Sequence, residues 1–262
     1  MGTPIEIEEE IEGDHIVTTD FFFDKIGDSI PIKPPEHVNP KFDLQNPPSL
    51  PLAVSERSHL IFVAHSSGFC VAKTKDVIDA AKEIKENGKK GVFIQELSVV
   101  DVSFEKVHIL ALSTNESTLS VSLSHSPDIH FFSVQSLLDK VCYRFLLLWD
   151  YIEVKPSFFC SLDGSNYVKD IHWAKKAENS FLVLSNLGKL YSGVVDGHLQ
   201  HVMDNVDAVE WSVKGKFVAV AKESILSILS SKFKERLCIS LSFKSWVDES
   251  DVQCSVKGRK AI

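Results

Sequence analysis

A four-fold recurrence of one short pattern constrains the fold of this chain more than any other feature. Each copy consists of an apolar strand, a polar turn and a second apolar strand. The strands are rich in Val, Ile, Leu, Phe and Trp, whereas the turns carry Ser, Asn, Glu, Lys and Gly, as is typical of β-hairpins. The four copies are LAVSERSHLIFVA from Leu52, LALSTNESTLSVSL from Leu110, IHWAKKAENSFLVLS from Ile171 and VEWSVKGKFVAVA from Val209.

The interval between copies indicates a propeller. Ser55 and Ser113 are 58 residues apart, and Trp173 and Trp211 are 38 apart. A helix-like insert at 76–90 accounts for the longer interval. A repeat of about 40–45 residues with several strands in each unit is the signature of propeller blades. A third strand is predicted after each copy, at residues 69–74, 129–134, 189–194 and 224–229.

Two segments of the repeat are less regular. Residues 222–237 fit a helical period as well as a strand, and the repeat favours a strand over their first half. In TLSVSLS, from Thr118, Leu or Val alternates with Ser, which predicts a strand with one face in water. We therefore expect an all-β fold, an incomplete WD-like β-propeller of about four blades with a helical insert between blades.

The repeat divides the chain into three parts. Residues 1–50 are an acidic, proline-containing lead, residues 51–245 the partial propeller, and residues 246–262 an acidic loop and tail. The first thirty positions hold nine acids and one lysine, which favours a solvated segment, although Phe21 to Phe23 indicate that part of the lead packs on the fold. An apolar insert, residues 141–152, interrupts the propeller and is too short to span a bilayer.

Composition argues against several classes of function. The net charge of −8 repels nucleic acid on average and favours a basic protein partner. The five cysteines include no CxxC pair, which favours a reducing compartment over disulfides or zinc. The N-terminal MGTPIEIEEE has neither the basic nor the apolar region of a signal peptide. We expect no cofactor, no direct nucleic-acid contact and no membrane insertion.

One stretch, AHSSGFC, concentrates reactive side chains. A hydrolase nucleophile elbow needs GxSxG at a strand-to-helix turn, but His65 stands at the first glycine position and a strand follows. Cys70 lies within that apolar strand, which favours a buried structural thiol. We therefore favour a β-hairpin with Gly68 in its turn. An enzyme that uses His65, Ser66 or Ser67 remains a minor alternative.

The histidines do not predict a metal site. His198 and His201 stand three apart in HLQH, but no helix places them on one face and no HExxH motif supports them. His172 is expected to make a strand-to-loop hydrogen bond. The sequence also contains no glycine-rich phosphate-binding motif.

One acidic cluster is a candidate docking site. Asp248, Glu249 and Asp251 lie together after the fourth copy. Such a cluster is commonly a solvated loop, and the alternative is a patch that binds a basic partner. We take these three residues as the candidate partner-binding residues.

The ordered string of motifs resembles a known family. LAVSERSHLIFVAHSSGFCVAKTKDVI, FIQELSVVDV, SFLVLSNLGKLYSG and HVMDNVDAVEWSVKGKFVAVA are similar to the N-terminal propeller of the plant nucleoporin 214 family, FG nucleoporins of the cytoplasmic face of the nuclear pore complex. The resemblance covers about residues 5–255. It implies a non-enzymatic, seven-bladed propeller that docks a DEAD-box RNA helicase in mRNA export, beside other nucleoporins at the nuclear envelope.

The chain departs from that family pattern. About four of the seven blades are present, the 141–152 insert and the GRKAI tail have no counterpart, and neither a PheGly repeat nor a heptad anchor occurs. These departures keep two alternatives open. One is a WD-like scaffold of another intracellular complex, and the other is a truncated isoform without function.

Overall fold

Four antiparallel sheets make up the computed structural model, which describes residues 25–32, 47–88, 91–104, 106–139, 154–177 and 179–240. Each sheet contains four strands that are consecutive in the chain and adjacent in space. We name the sheets blades A to D in chain order. The predicted all-β partial propeller is confirmed.

The strands are short and even in length. Blade A contains β1 (Leu52–Ser55), β2 (Leu60–His65), β3 (Gly68–Lys73) and β4 (Ser98–Ser103). Blade B contains β5 (Val107–Leu112), β6 (Thr118–Leu123), β7 (Asp128–Ser133) and β8 (Phe158–Ser161). Blade C contains β9 (Val168–Trp173), β10 (Ser180–Ser185), β11 (Leu190–Val194) and β12 (Gln200–Met203). Blade D contains β13 (Ala208–Trp211), β14 (Phe217–Lys222), β15 (Ile225–Ser230) and β16 (Glu235–Ser240).

Helices occupy the links between third and fourth strands in blades A and B. Helices α1 (Thr74–Asn87) and α2 (Ile94–Leu97) separate β3 from β4, which confirms the predicted helical insert. Residues 134–139, here α3, are helical after β7. None of the helices in the described residues is long and apolar enough to cross a membrane. The 141–152 insert lies outside those residues, and the three-part division of the chain stays a prediction.

The predicted strands are confirmed, and one strand in each blade was missed. All four copies form hairpins, and the third strand follows each of them. Residues 225–230 are a strand, so the repeat resolved the helical ambiguity correctly. The fourth strands, β4, β8, β12 and β16, are mixed in polarity and carry no strong periodic signal.

The first strand of each blade lies nearest the axis. Successive first strands contact each other, β1 with β5, β5 with β9 and β9 with β13. Because strands alternate in direction, the turns between first and second strands share one end of the axis. We call this end the hairpin face; it holds turns 56–59, 113–117, 174–177 and 212–216. The opposite end, the linker face, holds turns 66–67, 124–127, 186–189 and 223–224 and the inter-blade links 162–167 and 204–207.

Apolar cores fill the spaces between neighbouring blades. Phe132 on β7 packs against blade A, whereas its neighbour Phe131 packs against blade C, and both side chains are fully buried. Leu182 on β10 packs with Val218 and Val220 of blade D. Each fully buried side chain of this size stabilises the fold by about 1.5–3 kcal/mol. Burial on both faces explains why LIFVA is apolar at every position.

Part of the lead packs on the outer face of blade A. Ile30 and Ile32 lie against a small core that includes Val63 and Cys70. The Asp28 N–H donates to the Ala81 carbonyl oxygen at 3.0 Å on α1. The lead is therefore not wholly a solvated tail, although Phe21 to Phe23 lie outside the described residues.

The expectation of a wet face on β6 is wrong. Ser120 and Ser122 are both 0% exposed, because neighbouring blades cover each side of this strand. The Ser120 hydroxyl donates to the Ala111 carbonyl oxygen at 2.9 Å and accepts from Trp173 Nε1 at 3.2 Å. A buried hydroxyl with both kinds of partner, like that of Ser120, costs little free energy, whereas the buried Ser122 hydroxyl has no hydrogen-bond partner within the described residues.

Gly68 provides a test of blade packing. A Cβ at this position would lie 1.9 Å from the Val102 carbonyl oxygen on β4, so Gly68→Ala must displace backbone. We expect it to lower the free energy of unfolding by at least about 2 kcal/mol, measured as a fall in melting temperature by circular dichroism.

Gly164→Ala is the matched control, because Gly164 has a φ of +67° and no heavy atom within 4 Å of its added Cβ. Its cost should be limited to about 1–2 kcal/mol of left-handed backbone. Equal melting temperatures for the two variants would contradict the close approach of β3 and β4.

Candidate protein-interaction surface

The side chain of His65, at the end of β2, contacts β4 and the turn between β2 and β3, and it is only 3% exposed. Its Nε2 lies 2.9 Å from Oδ1 of Asp101 on β4, and Gln95 donates to the other oxygen of that carboxylate at 2.5 Å. The Ser67 hydroxyl and the Ser67 N–H both lie 3.3 Å from His65 Nδ1. In a serine hydrolase the carboxylate contacts Nδ1 and the serine contacts Nε2, so the order here is reversed.

Cys70 has the properties of a structural thiol, as predicted. It is fully buried, and burial, followed by the charge of Asp101, raises its pKa to about 12. A thiol with such a pKa forms almost no thiolate near neutral pH and is a poor nucleophile. The hairpin from His65 to Cys70 therefore contributes to the stability of blade A.

His172 connects the inner strands of blades C and D. Its Nε2 lies 3.0 Å from Asp170 Oδ2 and its Nδ1 lies 3.3 Å from Glu210 Oε2 on β13. Instead of the expected strand-to-loop hydrogen bond, His172 contacts two carboxylates that both lie on strands. Burial alone would lower the pKa of His172, but the hydrogen bond and charge of Asp170, followed by Glu210, raise it.

The remaining predicted residues are not brought into one site. His201 Nε2 lies 3.0 Å from Asp204 Oδ1, and within the described residues no group of three His, Cys, Asp or Glu side chains could hold a metal ion. Asp248, Glu249 and Asp251 lie outside the described residues, so their role stays a prediction.

Hydrogen bonds tie the turns of the hairpin face to one another. Glu116 of blade B accepts from the Ser55 hydroxyl at 2.6 Å and from the Arg57 N–H at 2.9 Å. These bonds, the one from Ser55 first, lower the pKa of Glu116. The Thr114 hydroxyl donates to the Ala174 carbonyl oxygen of blade C at 2.8 Å. The hairpin face is therefore held together between blades.

The turns and links on the linker face of blades C and D carry four acids and one lysine, Lys189, and the exposed Lys169 beside them donates from Nζ to the Asp207 carbonyl oxygen at 2.8 Å. Asp163, Asp204, Asp207 and Glu223 are all exposed there. Burial and then the charges of Asp163 and Asp204 raise the pKa of Tyr191. The Glu223 N–H donates to Asp207 Oδ2 at 2.5 Å. These four acids form one surface, here the acidic patch, whose charge suits a basic partner.

Sequence reasoning missed the acidic patch because its members are dispersed between positions 163 and 223. They come together because every inter-blade link and every second turn returns the chain to the same end of the axis. Strand direction, counted through the repeat, was the signal that could have found them.

The solved structures similar to this chain include a nucleoporin domain. The N-terminal domain of Nup159 aligns with a TM-score of 0.52 and 12% identity, over 78% of this chain and 46% of that one. A structure of S. cerevisiae Dbp5 L327V bound to Nup159, Gle1 H337R, IP6 and ADP aligns with a TM-score of 0.52 and 12% identity, over 82% of this chain and 48% of that one.

The fold is a β-propeller similar to the N-terminal domain of Nup159. No protein-family model matches the sequence, and no curated protein matches it. The chain spans about half the length of the two solved chains. At this identity the similarity concerns the fold alone, and the surfaces described above must carry any functional argument.

The His172 contacts predict a pH dependence of stability. The pKa of His172 is raised in the folded state, so the protonated imidazole stabilises the fold. This stabilisation is fully present below the unfolded-state pKa of about 6.5 and is lost as pH rises through the folded-state pKa. His172→Gln should lower the free energy of unfolding more at about pH 6 than at about pH 8.5. The two losses should differ by about 0.5–1 kcal/mol, a small value because Glu210 is largely exposed and its charge is screened by water.

Urea unfolding of both proteins at the two pH values measures this difference. Glu210→Gln should retain a smaller pH dependence than the wild type, because Asp170 remains. A difference between wild type and His172→Gln that is constant with pH, or larger at high pH, would refute the ion-pair contribution.

Proposed function

We propose that this chain is a non-enzymatic propeller of the plant nucleoporin 214 family that docks a DEAD-box RNA helicase. Its place would be the cytoplasmic face of the nuclear pore complex, beside other nucleoporins, in mRNA export. The observation that carries the proposal is the agreement between the ordered sequence resemblance and the fold shared with the N-terminal domain of Nup159. One matching structure contains Nup159 with Dbp5 bound to it.

The acidic patch is the surface we assign to this docking. A helicase contacts RNA phosphates through basic side chains, and an acidic surface complements such a partner. Opposite charges across the two surfaces would accelerate association, and salt would weaken it. The patch supports the proposal because its four carboxylates are exposed on one face of two adjacent blades.

The predicted residues Asp248, Glu249 and Asp251 follow blade D in the sequence and lie outside the described residues. Strand β16 runs toward the linker face and ends at Ser240, only eight residues before Asp248. Eight residues reach at most about 29 Å when extended, a length that allows Asp248 to reach the linker face. We propose that they extend the acidic patch.

A charge-neutralised variant tests the docking surface. Asp163→Asn, Asp204→Asn and Glu223→Gln together remove three charges from exposed positions. We expect the dissociation constant for a recombinant DEAD-box helicase to rise about ten-fold or more in isothermal titration calorimetry at low salt.

The matched control is Asp76→Asn, Asp79→Asn and Glu86→Gln, which removes three exposed charges from α1. Its affinity should stay within about two-fold of the wild type. Equal losses in both variants, or wild-type binding that does not weaken as salt rises, would reject the acidic patch. No binding by the wild type at low salt would instead favour a scaffold of another complex.

The proposed lack of enzymatic activity has its own test. His65 lies against Asp101 through Nε2 and against Ser67 through Nδ1, which is the reverse of the order in a serine hydrolase, and Ser67 is only two residues away in the same hairpin. A fluorophosphonate probe should leave both serines unlabelled in mass spectrometry of the folded protein. Labelling that His65→Gln abolishes, while the circular dichroism spectrum is unchanged, would restore the enzyme hypothesis.

A further inference from the structure

The hairpin face of blades C and D has the opposite charge to the acidic patch. Six exposed lysines lie there, on the first turn of each blade and on the turn between β15 and β16. We call them the lysine face: Lys175, Lys176, Lys214, Lys216, Lys232 and Lys234.

Contacts between the turns make this a continuous surface. A Cβ on Gly215 would lie 3.1 Å from Lys175 Cβ and 3.3 Å from the Lys176 backbone nitrogen, so the turn of blade D packs on that of blade C. The Ser231 N–H donates to the Lys216 carbonyl oxygen at 3.0 Å, which joins the third turn to the second.

The local charge differs in sign from the charge of the whole chain. The three turn sequences, AKKAEN, SVKGK and SSKFK, contain six lysines and one acid, Glu178, which lies outside the described residues. Their net charge is +5, and the exposed Asp196 on the β11–β12 turn at the same end of blade C reduces this to +4, in a chain whose net charge is −8. Because salt screens charges beyond about 8–10 Å, an approaching ligand responds to the local charge.

A cleft opens beside the first two lysines. Its volume is about 190 Å³, and its lining includes Asn115, Lys175, Lys176 and Asn179 above Trp173. The Asn115 side-chain oxygen accepts from the Ser113 hydroxyl at 2.8 Å and from the Ser117 hydroxyl at 2.8 Å. The Asn115 amide group is therefore left to act as a donor in a cleft that Lys175 and Lys176 also line.

We propose that the lysine face binds the sugar–phosphate backbone of single-stranded RNA, with one phosphate in this cleft. Lysine is a flexible point charge with three donors, which suits phosphate oxygens without reading bases. The lysines extend over three consecutive turns, which suits an extended polyanion better than a single ion. The net charge of −8 predicts no direct nucleic-acid contact. That value is a sum over all residues and does not describe the charge of the lysine face.

The lysine face and the acidic patch lie at opposite ends of the same two blades. A basic protein on the linker face would therefore leave the lysine face open to RNA. The proposal goes beyond the proposed function, and it is tested without a helicase, so either can fail alone.

Fluorescence anisotropy with a labelled oligouridine of roughly 20 nucleotides tests the proposal on the full chain. At about 50 mM salt the wild type should bind, and Lys175→Gln with Lys176→Gln should raise the dissociation constant about ten-fold. The slope of log affinity against log salt should become shallower by about 1–2 for this pair.

The control is Lys75→Gln with Lys82→Gln, two exposed lysines of α1, and it should bind as the wild type does. Circular dichroism confirms that both variants are folded. No binding by the wild type at low salt, or equal losses in the two variants, overturns the proposal. A synthetic peptide of residues 1–14 that binds while oligouridine does not would also overturn it, in favour of an acidic peptide.

Discussion

The packing of one blade against the next is the interaction on which the rest of this structure depends. Blades A, B and C are apolar on both faces and blade D on the face toward blade C, so these faces cannot be left in water without a large loss of hydrophobic free energy. Trp173 shows how the contact is fixed in orientation. Its ring packs against Phe131 and Phe181 at centroid distances of 6.0 and 5.5 Å, and its Nε1 reaches Ser120 and the Ala111 carbonyl oxygen at 3.2 Å.

The sequence repeat predicted the part of the fold that depends on local pattern. Hairpins and third strands follow from apolar runs separated by turns, and the helix after β3 follows from its own period. The fourth strands and the burial of Ser120 depend on the neighbouring blade, which no local pattern contains. The apolar residues around Cys70 were enough to predict its buried thiol. The acidic patch and the lysine face were not predicted, because each brings together turns that are far apart in the sequence.

The turns repeat a hydrogen-bonding scheme while their charged residues change. Ser113, Ser185, Ser212 and Ser230 each accept a backbone N–H from four or five residues later. The residue three positions after each serine has a positive φ, and in two turns it is not glycine. Glu116 and Phe233 therefore sit in a conformation that costs about 1–2 kcal/mol, which packing between turns must offset. A fixed turn shape lets charges vary at set positions.

Opposite charges at the two ends of blades C and D follow from this geometry. Turn residues at one end are separated along the chain by whole strands, so each end can accumulate charge of one sign without a charged run in the sequence. The net charge of −8 then describes neither end. A partner that approaches within about a Debye length meets one face, and that face decides whether it is attracted. Propeller architecture thus converts dispersed charges into two surfaces of opposite sign, and the orientation of a bound partner depends on that separation.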